Sequence, residues 1–248
     1  MDFPKRGRVG SVADRRAMSG FFRTKMAAYV VPFVVFMGGL VLVSVVEALG
    51  GGEDAESLWL RHPEYWVYPL QTVACGVALI FYWREYDWGR RGGLWWALAA
   101  GVVVLGIWVA PQVVLGAEPR LEGFDPTRMG EGTALYWLTV VARFARLVVI
   151  VPLVEEIFWR GFLMRYLIRE DFTAIPVGTL QWKSFGIVAV CFMLVHGMAD
   201  WPAALLCGLI YNGLAVRTGS LWACVLAHGL TNLGLGAYIM ATGQWGFW

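Results

Sequence analysis

Charge is scarce in this sequence. Only 15% of its 248 residues are Asp, Glu, Lys or Arg, where a soluble domain carries about 25%. The apolar share is 58%, and several runs approach the ~20 apolar residues that cross a bilayer. A water-soluble globule is thereby excluded. Cysteine is sparse as well. Cys75, Cys191, Cys207 and Cys224 sit in apolar segments without CxxC spacing, which excludes a disulfide or zinc framework and leaves them as small core residues. No Gly-x-Ser-x-Gly is present, so a serine nucleophile elbow is excluded. No His-Glu-x-x-His helix marks a zinc protease of that type. There is no inverted repeat of the kind that builds transporters. The first apolar run is too long for a signal-peptide core and lacks a cleavage site, so no cleavable signal is expected.

What is there reads as an all-α, polytopic membrane protein with about seven transmembrane helices. Residues 1–25 form a basic tail carrying Lys5, Arg6, Arg8, Arg15, Arg16, Arg23 and Lys25. Residues 26–132 hold three spans, at Met26–Ala48, Trp66–Trp83 and Leu94–Leu115. Residues 133–248 hold four more. Basic residues crowd the tail, the 84–91 loop and the 165–183 segment. That places these parts and the amino terminus in the cytoplasm, and the carboxy terminus outside. Basic residues beside a first span set orientation, so no nucleic-acid partner is expected. The partners expected are the lipid bilayer and a membrane-anchored protein or peptide. The acidic, Gly- and Pro-rich stretch 116–132 reads as an outside loop. The helical pattern of 133–168 is too long for one crossing. Arg143 and Arg146 are therefore placed at the outer interface and Arg165 and Arg169 at the inner one, with 134–142 along or just above the outer surface. Pro152 marks a kink. The fifth span is expected at Phe185–Ala199, the sixth at Trp201–Val216 and the seventh from Leu221 to about Ala241.

The chain is organised around Val154-Glu155-Glu156-Ile157-Phe158-Trp159-Arg160. A charge at the bilayer centre costs roughly 3 kcal/mol or more, so such residues face a partner or a wet cavity. Glu156 and Arg160 are spaced i,i+4 and pair on one helix face. Glu155 points about 100° away and is left without a local partner. The other strongly polar residues at depth are His196, His228 and Asn232, the last two again i,i+4 on one face. Tyr211 and Asn212 read as packing contacts between helices, and His62 as an ordinary loop residue. Counted from the cytoplasmic ends, Glu155, His196 and His228 lie about 15, 16 and 12 Å into the membrane. They therefore share one level, and Asn232 falls one turn above. One polar cavity is expected to hold all four, opening to the cytoplasm or sideways between helices. A carboxylate near an imidazole deprotonates water, and imidazole and amide groups donate to a developing oxyanion. The set suits hydrolysis of a peptide bond by activated water. Two histidines and a glutamate are also a common zinc set, and the composition alone does not decide for or against metal.

These motifs resemble a known family. Glu-Glu-x-x-x-Arg at Glu155, Glu156 and Arg160, Phe-x-x-x-His at Phe192 and His196, and His-x-x-x-Asn at His228 and Asn232 look like the CPBP family. It comprises CAAX prenyl protease type II enzymes and bacterial Abi-type, bacteriocin-processing relatives. The likeness spans roughly 134–242; the first 130 residues carry none of it. It implies an intramembrane endopeptidase of a bacterial cytoplasmic membrane, its site open to the cytoplasm. The implied roles are Glu155 with His196 as activators of water, His228 and Asn232 as oxyanion donors, and Glu156–Arg160 as support. No cofactor is favoured; zinc is the alternative, on Glu155, His196 and His228. Two other readings remain: a non-enzymatic membrane partner of bacteriocin-immunity or scaffold type, and a transporter that uses the buried carboxylates.

Overall fold

A computed structural model of the chain describes residues 24–50 and 57–248. The basic tail up to Arg23, and the acidic residues Glu53, Asp54 and Glu56, lie outside the described residues. The regular structure is helical. The main helices are α1 (Lys25–Gly50), α2 (Glu64–Phe81), α3 (Leu94–Val113), α4 (Ala134–Tyr166), α5 (Trp182–Leu194), α6 (Trp201–Thr218) and α7 (Leu221–Thr242). Among the described residues, five helices are long and apolar enough to cross a membrane: α1, α3, α4, α6 and α7. In α2 the apolar run is diluted by Glu64, Gln71 and Thr72, and α5 has only 13 residues.

The helices expose apolar side chains outward and bring small residues together inside. Val41, Val77, Trp95, Val102 and Val141 are all more than half exposed, as a lipid-facing surface requires. Between lipid-embedded helices there is no hydrophobic driving force, so close backbone approach and hydrogen bonds hold them. The α3–α7 contact works this way. A Cβ on Gly101 would stand 2.9 Å from the Ala227 carbonyl, and the Thr231 hydroxyl donates to the Gly101 carbonyl at 2.9 Å.

Helix α4 is unbroken for 33 residues, so 134–142 continue the same helix. It is not uniformly α-helical. Arg146–Ile150 and Ile157–Leu163 are π-helical, and the short α segment Val151–Glu156 lies between them. Wide turns of this kind gather at functional sites. Pro152 is one local cause, because it has no N–H to offer the Val148 carbonyl. That carbonyl faces α7 where Gly229 has no side chain: a Cβ there would lie 2.9 Å from it.

The two ends of the bundle are built differently. At the end expected in the cytoplasm, Arg165 is buried. It donates to the carbonyls of Gly161, Phe172 and Ile175 and pairs with Asp87 at 3.1 Å. Trp88 and Gly89 bond the start of α7 through Leu221 and Ser220. At the opposite end, Arg120 pairs with Asp200 at 2.5 Å, and its carbonyl accepts from the Gly246 N–H. Phe124 packs on Tyr65 and Trp248. His62, read from sequence as an ordinary loop residue, contacts Glu64 and Arg128 there.

Candidate active site

Glu155 and Glu156 sit between the two wide turns of α4, and both are buried. Glu156 is closed in. Its Oε1 accepts from Arg160 Nη1 at 3.0 Å and lies 2.9 Å from His228 Nδ1. Arg160 spends its remaining donors on Asn212 Oδ1 at 2.9 Å and the Gly208 carbonyl at 3.2 Å. Its guanidinium lies 4.9 Å from the Phe192 ring centre. Asn212 in turn donates to the Phe185 carbonyl. One carboxylate thus ties α4 to α6 and α7, and Asn212 extends the tie to α5. The i,i+4 spacing foretold the Glu156–Arg160 contact; the His228 contact needed the packing of α7 on α4.

Glu155 is the open member of the pair. Oε2 of both glutamates lacks a hydrogen-bond partner among the described residues, but of the two it is the Glu155 side chain that lines a cavity, of about 290 Å³. His196, His228 and Asn232 line the same cavity. The structure therefore brings together Glu155, His196, His228 and Asn232, and sets Glu156 and Arg160 behind them.

The histidines are held by their Nδ1 atoms. Helix α5 ends at Leu194, earlier than the expected Ala199, and His196 stands just past its end. There His196 Nδ1 meets the Phe192 carbonyl at 2.7 Å, occupying one of the acceptors a helix end leaves open. A carbonyl only accepts, so Nδ1 carries the hydrogen, and Nε2 of the neutral ring is a free acceptor. At His228 the ionised Glu156 likewise only accepts, so Nδ1–H donates to it. Asn232 donates one amide hydrogen to the Leu147 carbonyl at 2.8 Å, inside the first wide turn of α4, and keeps a second hydrogen. The Phe192 ring lies 4.8 Å from the His196 ring and 6.4 Å from that of His228.

Zinc binding would need Glu155, His196 and His228 to converge as ligands. Among the described residues no three His, Cys, Asp or Glu side chains are grouped to hold a metal ion. His228 turns Nδ1 to Glu156 and His196 turns Nδ1 to a carbonyl, as metal-ligating histidines do with the nitrogen that does not bind the ion. It is therefore the spacing of the three side chains, and not their hydrogen bonds, that fails to make a metal site. The donor set does not fit the ion as it stands.

Two further residues in the cavity escaped the sequence reading. Arg143 and Arg146, expected at the outer interface, are 3% and 5% exposed and turn inward to line it. Arg146 donates to Gln71 Oε1 at 2.9 Å and lies 4.1 Å from the Tyr68 ring centre. Arg143 stands against the rings of Tyr68, Phe124 and Trp248, and its Nε and Nη1 have no partner. The rings that draw them inward come from segments far away in sequence. Only the aromatic content of those segments could have hinted at it. The lining reaches Asp200, Gly246, Phe247 and Trp248 and includes nothing from the Asp87–Arg165 end. The cavity thus extends toward the end opposite the one at which the resemblance implied an opening. Phe36, Met37 and Leu40 of α1 form a side wall.

Residues 136–234 match the family described as type II CAAX prenyl endopeptidase Rce1-like. The matched segment contains Glu155, Glu156, Arg160, His196, His228 and Asn232. No curated protein and no solved structure matches the chain.

Proposed function

We propose that this integral membrane protein is a CAAX-protease-like endopeptidase that cuts a peptide bond of a membrane-associated substrate with activated water. The observation that carries the reading is the shared cavity, in which a buried carboxylate with an unpartnered oxygen lies with two imidazoles and an amide. Glu155 takes a proton from water, and His196 Nε2 accepts a hydrogen bond from the same water. The hydroxide attacks the carbonyl carbon, and negative charge builds on the carbonyl oxygen. Asn232 donates to that oxygen with its second amide hydrogen. His228, as imidazolium held by Glu156, donates to it from Nε2. The proton on Glu155 passes to the leaving amine as the bond breaks. Arg160 holds Glu156, and Glu156 orients His228; neither touches the substrate. All seven main helices cross the bilayer in this reading, with the basic end cytoplasmic, so the substrate enters from the far side or between α1 and its neighbours.

Glu155→Gln tests the reading. It keeps the shape and removes the base, and general-base loss costs roughly 10²–10⁴ in rate. In membranes bearing the full chain, mass spectrometry of newly formed peptide termini should find products with the wild type only. Uncut protein should co-purify with Glu155→Gln. The same products from both forms would overturn the mechanism, and would favour a scaffold that needs no base.

A further inference from the structure

Arg143 lines the cavity with no carboxylate in ion-pair contact among the described residues; its polar neighbours are the Tyr68 hydroxyl and, farther off, Glu64. Neither it nor Arg146 has a carboxylate within 4 Å among the described residues. Arg146 is partly satisfied by Gln71. Arg143 is buried, with 3% of its surface exposed; it touches aromatic faces and leaves Nε and Nη1 without acceptors. A buried charge normally comes with a hydrogen-bonded partner. Both arginines line the same cavity as Glu155, so a carboxylate entering it meets guanidiniums that have no acidic partner within 4 Å among the described residues. The other carboxylate on the lining, Asp200, is held by Arg120.

We infer that Arg143 and Arg146 form a carboxylate-binding subsite that anchors the substrate peptide at a fixed distance from the bond being cut. The inference rests on the peptidase reading and adds a requirement to it. A guanidinium donates to a carboxylate in charge-assisted hydrogen bonds, and Nε and Nη1 of Arg143 are donors without an acceptor among the described residues. Along α4, at about 1.5 Å per residue, Arg146 and Arg143 lie roughly 13 and 18 Å from Glu155. An extended peptide covers that distance in about four to six residues at ~3.3 Å each. The carboxylate is either the free carboxy terminus of the substrate or an acidic side chain at that spacing.

The test is a binding measurement on the full chain in phosphatidylcholine nanodiscs. The probes are fluorescent Leu/Ala heptapeptides in three forms: a free carboxy terminus, a terminal amide, and a terminal amide with one internal glutamate. A charge-assisted contact should make an acidic form bind roughly tenfold tighter than the plain amide. Preference for the first form identifies the terminus, and for the third an acidic side chain. The preference should fall to about twofold or less in Arg143→Gln and persist in Glu155→Gln. Equal affinities for all three peptides with wild-type protein overturn the inference, and that comparison needs no variant. Acid preference that survives in Arg143→Gln overturns it as well, as does displacement of the acidic peptide by phosphatidylglycerol in the disc, which would make a lipid headgroup the occupant. None of these readouts involves cleavage, so failure of the subsite is separate from failure of the peptidase, which shows as unchanged products from Glu155→Gln.

Discussion

Arg160→Ala should weaken the fold as well as silence the site. The side chain is fully buried, and it donates to Glu156, Asn212 and the Gly208 carbonyl at 3.0, 2.9 and 3.2 Å. Its loss strands a carboxylate that keeps only His228, together with an amide oxygen and a main-chain oxygen. Breaking one side of a buried pair costs about 3–5 kcal/mol. At about 2–4 °C per kcal/mol for a chain of this size, the melting temperature of the purified protein should drop by roughly 10 °C. Removing both charges should cost less, because no ion is then left uncompensated. Glu156→Gln combined with Arg160→Met should therefore melt above Arg160→Ala alone. Thermal unfolding of the three forms in one detergent settles the order. An Arg160→Ala protein that melts within about 2 °C of wild type would refute the buried-pair account, since so small a shift corresponds to less than about 1 kcal/mol.

Asn232→Ala removes both the Leu147 contact and an oxyanion donor. Turnover should fall about 10²-fold or more, measured with the substrate that Glu155→Gln traps; a drop of less than about threefold would remove Asn232 from the oxyanion role. Gly229→Val places carbon about where the Val148 carbonyl stands, 2.9 Å from the added Cβ. It should lower expression and melting temperature, whereas Gly106→Ala, with open space around it, should leave both unchanged. A reporter joined after Trp248 should be active outside the cytoplasm; cytoplasmic activity would reverse the orientation proposed from the basic end.

The local part of the site was legible in the sequence. The spacing of Glu156 and Arg160 fixes their pairing because both stand on one helix, and the same helix leaves Glu155 unpaired. The grouping of Glu155, His196, His228 and Asn232 was expected from their shared depth together with their motifs, although depth does not say which way a side chain points. Contacts made across helices were not legible. Glu156 could not be seen to hold His228, since that depends on how close Gly229 lets α7 come to α4. Nor could Arg143 and Arg146 be seen to face inward. An arginine at the expected end of a span reads as interfacial until the rings of Tyr68, Phe124 and Trp248 are known to surround it. His196 read as part of a longer helix, because nothing in Val195-His196-Gly197 shows that its imidazole would finish the helix at the Phe192 carbonyl.

The wide turn at Arg146–Ile150 has a consequence for angle. In a regular α-helix, at about 100° per residue, Arg146 and Glu155 would point to opposite sides. Both line one cavity; a wide turn takes up about one extra residue, so the i→i+5 turn between them trims the offset to roughly 80° and puts basic and acidic groups on the same half of the helix. A deletion of one residue within Arg146–Ile150 would let that turn close to α geometry with little loss of hydrogen bonding. Eight regular steps at about 100° again amount to roughly 80°, so the arginines would stay on the glutamate side, whereas the same deletion in a regular α stretch would turn them by about 100°. The wide turn is thus the place where this helix can lose one residue of length and keep chemistry and anchoring on the same side, a form of variation that substitutions alone do not reach.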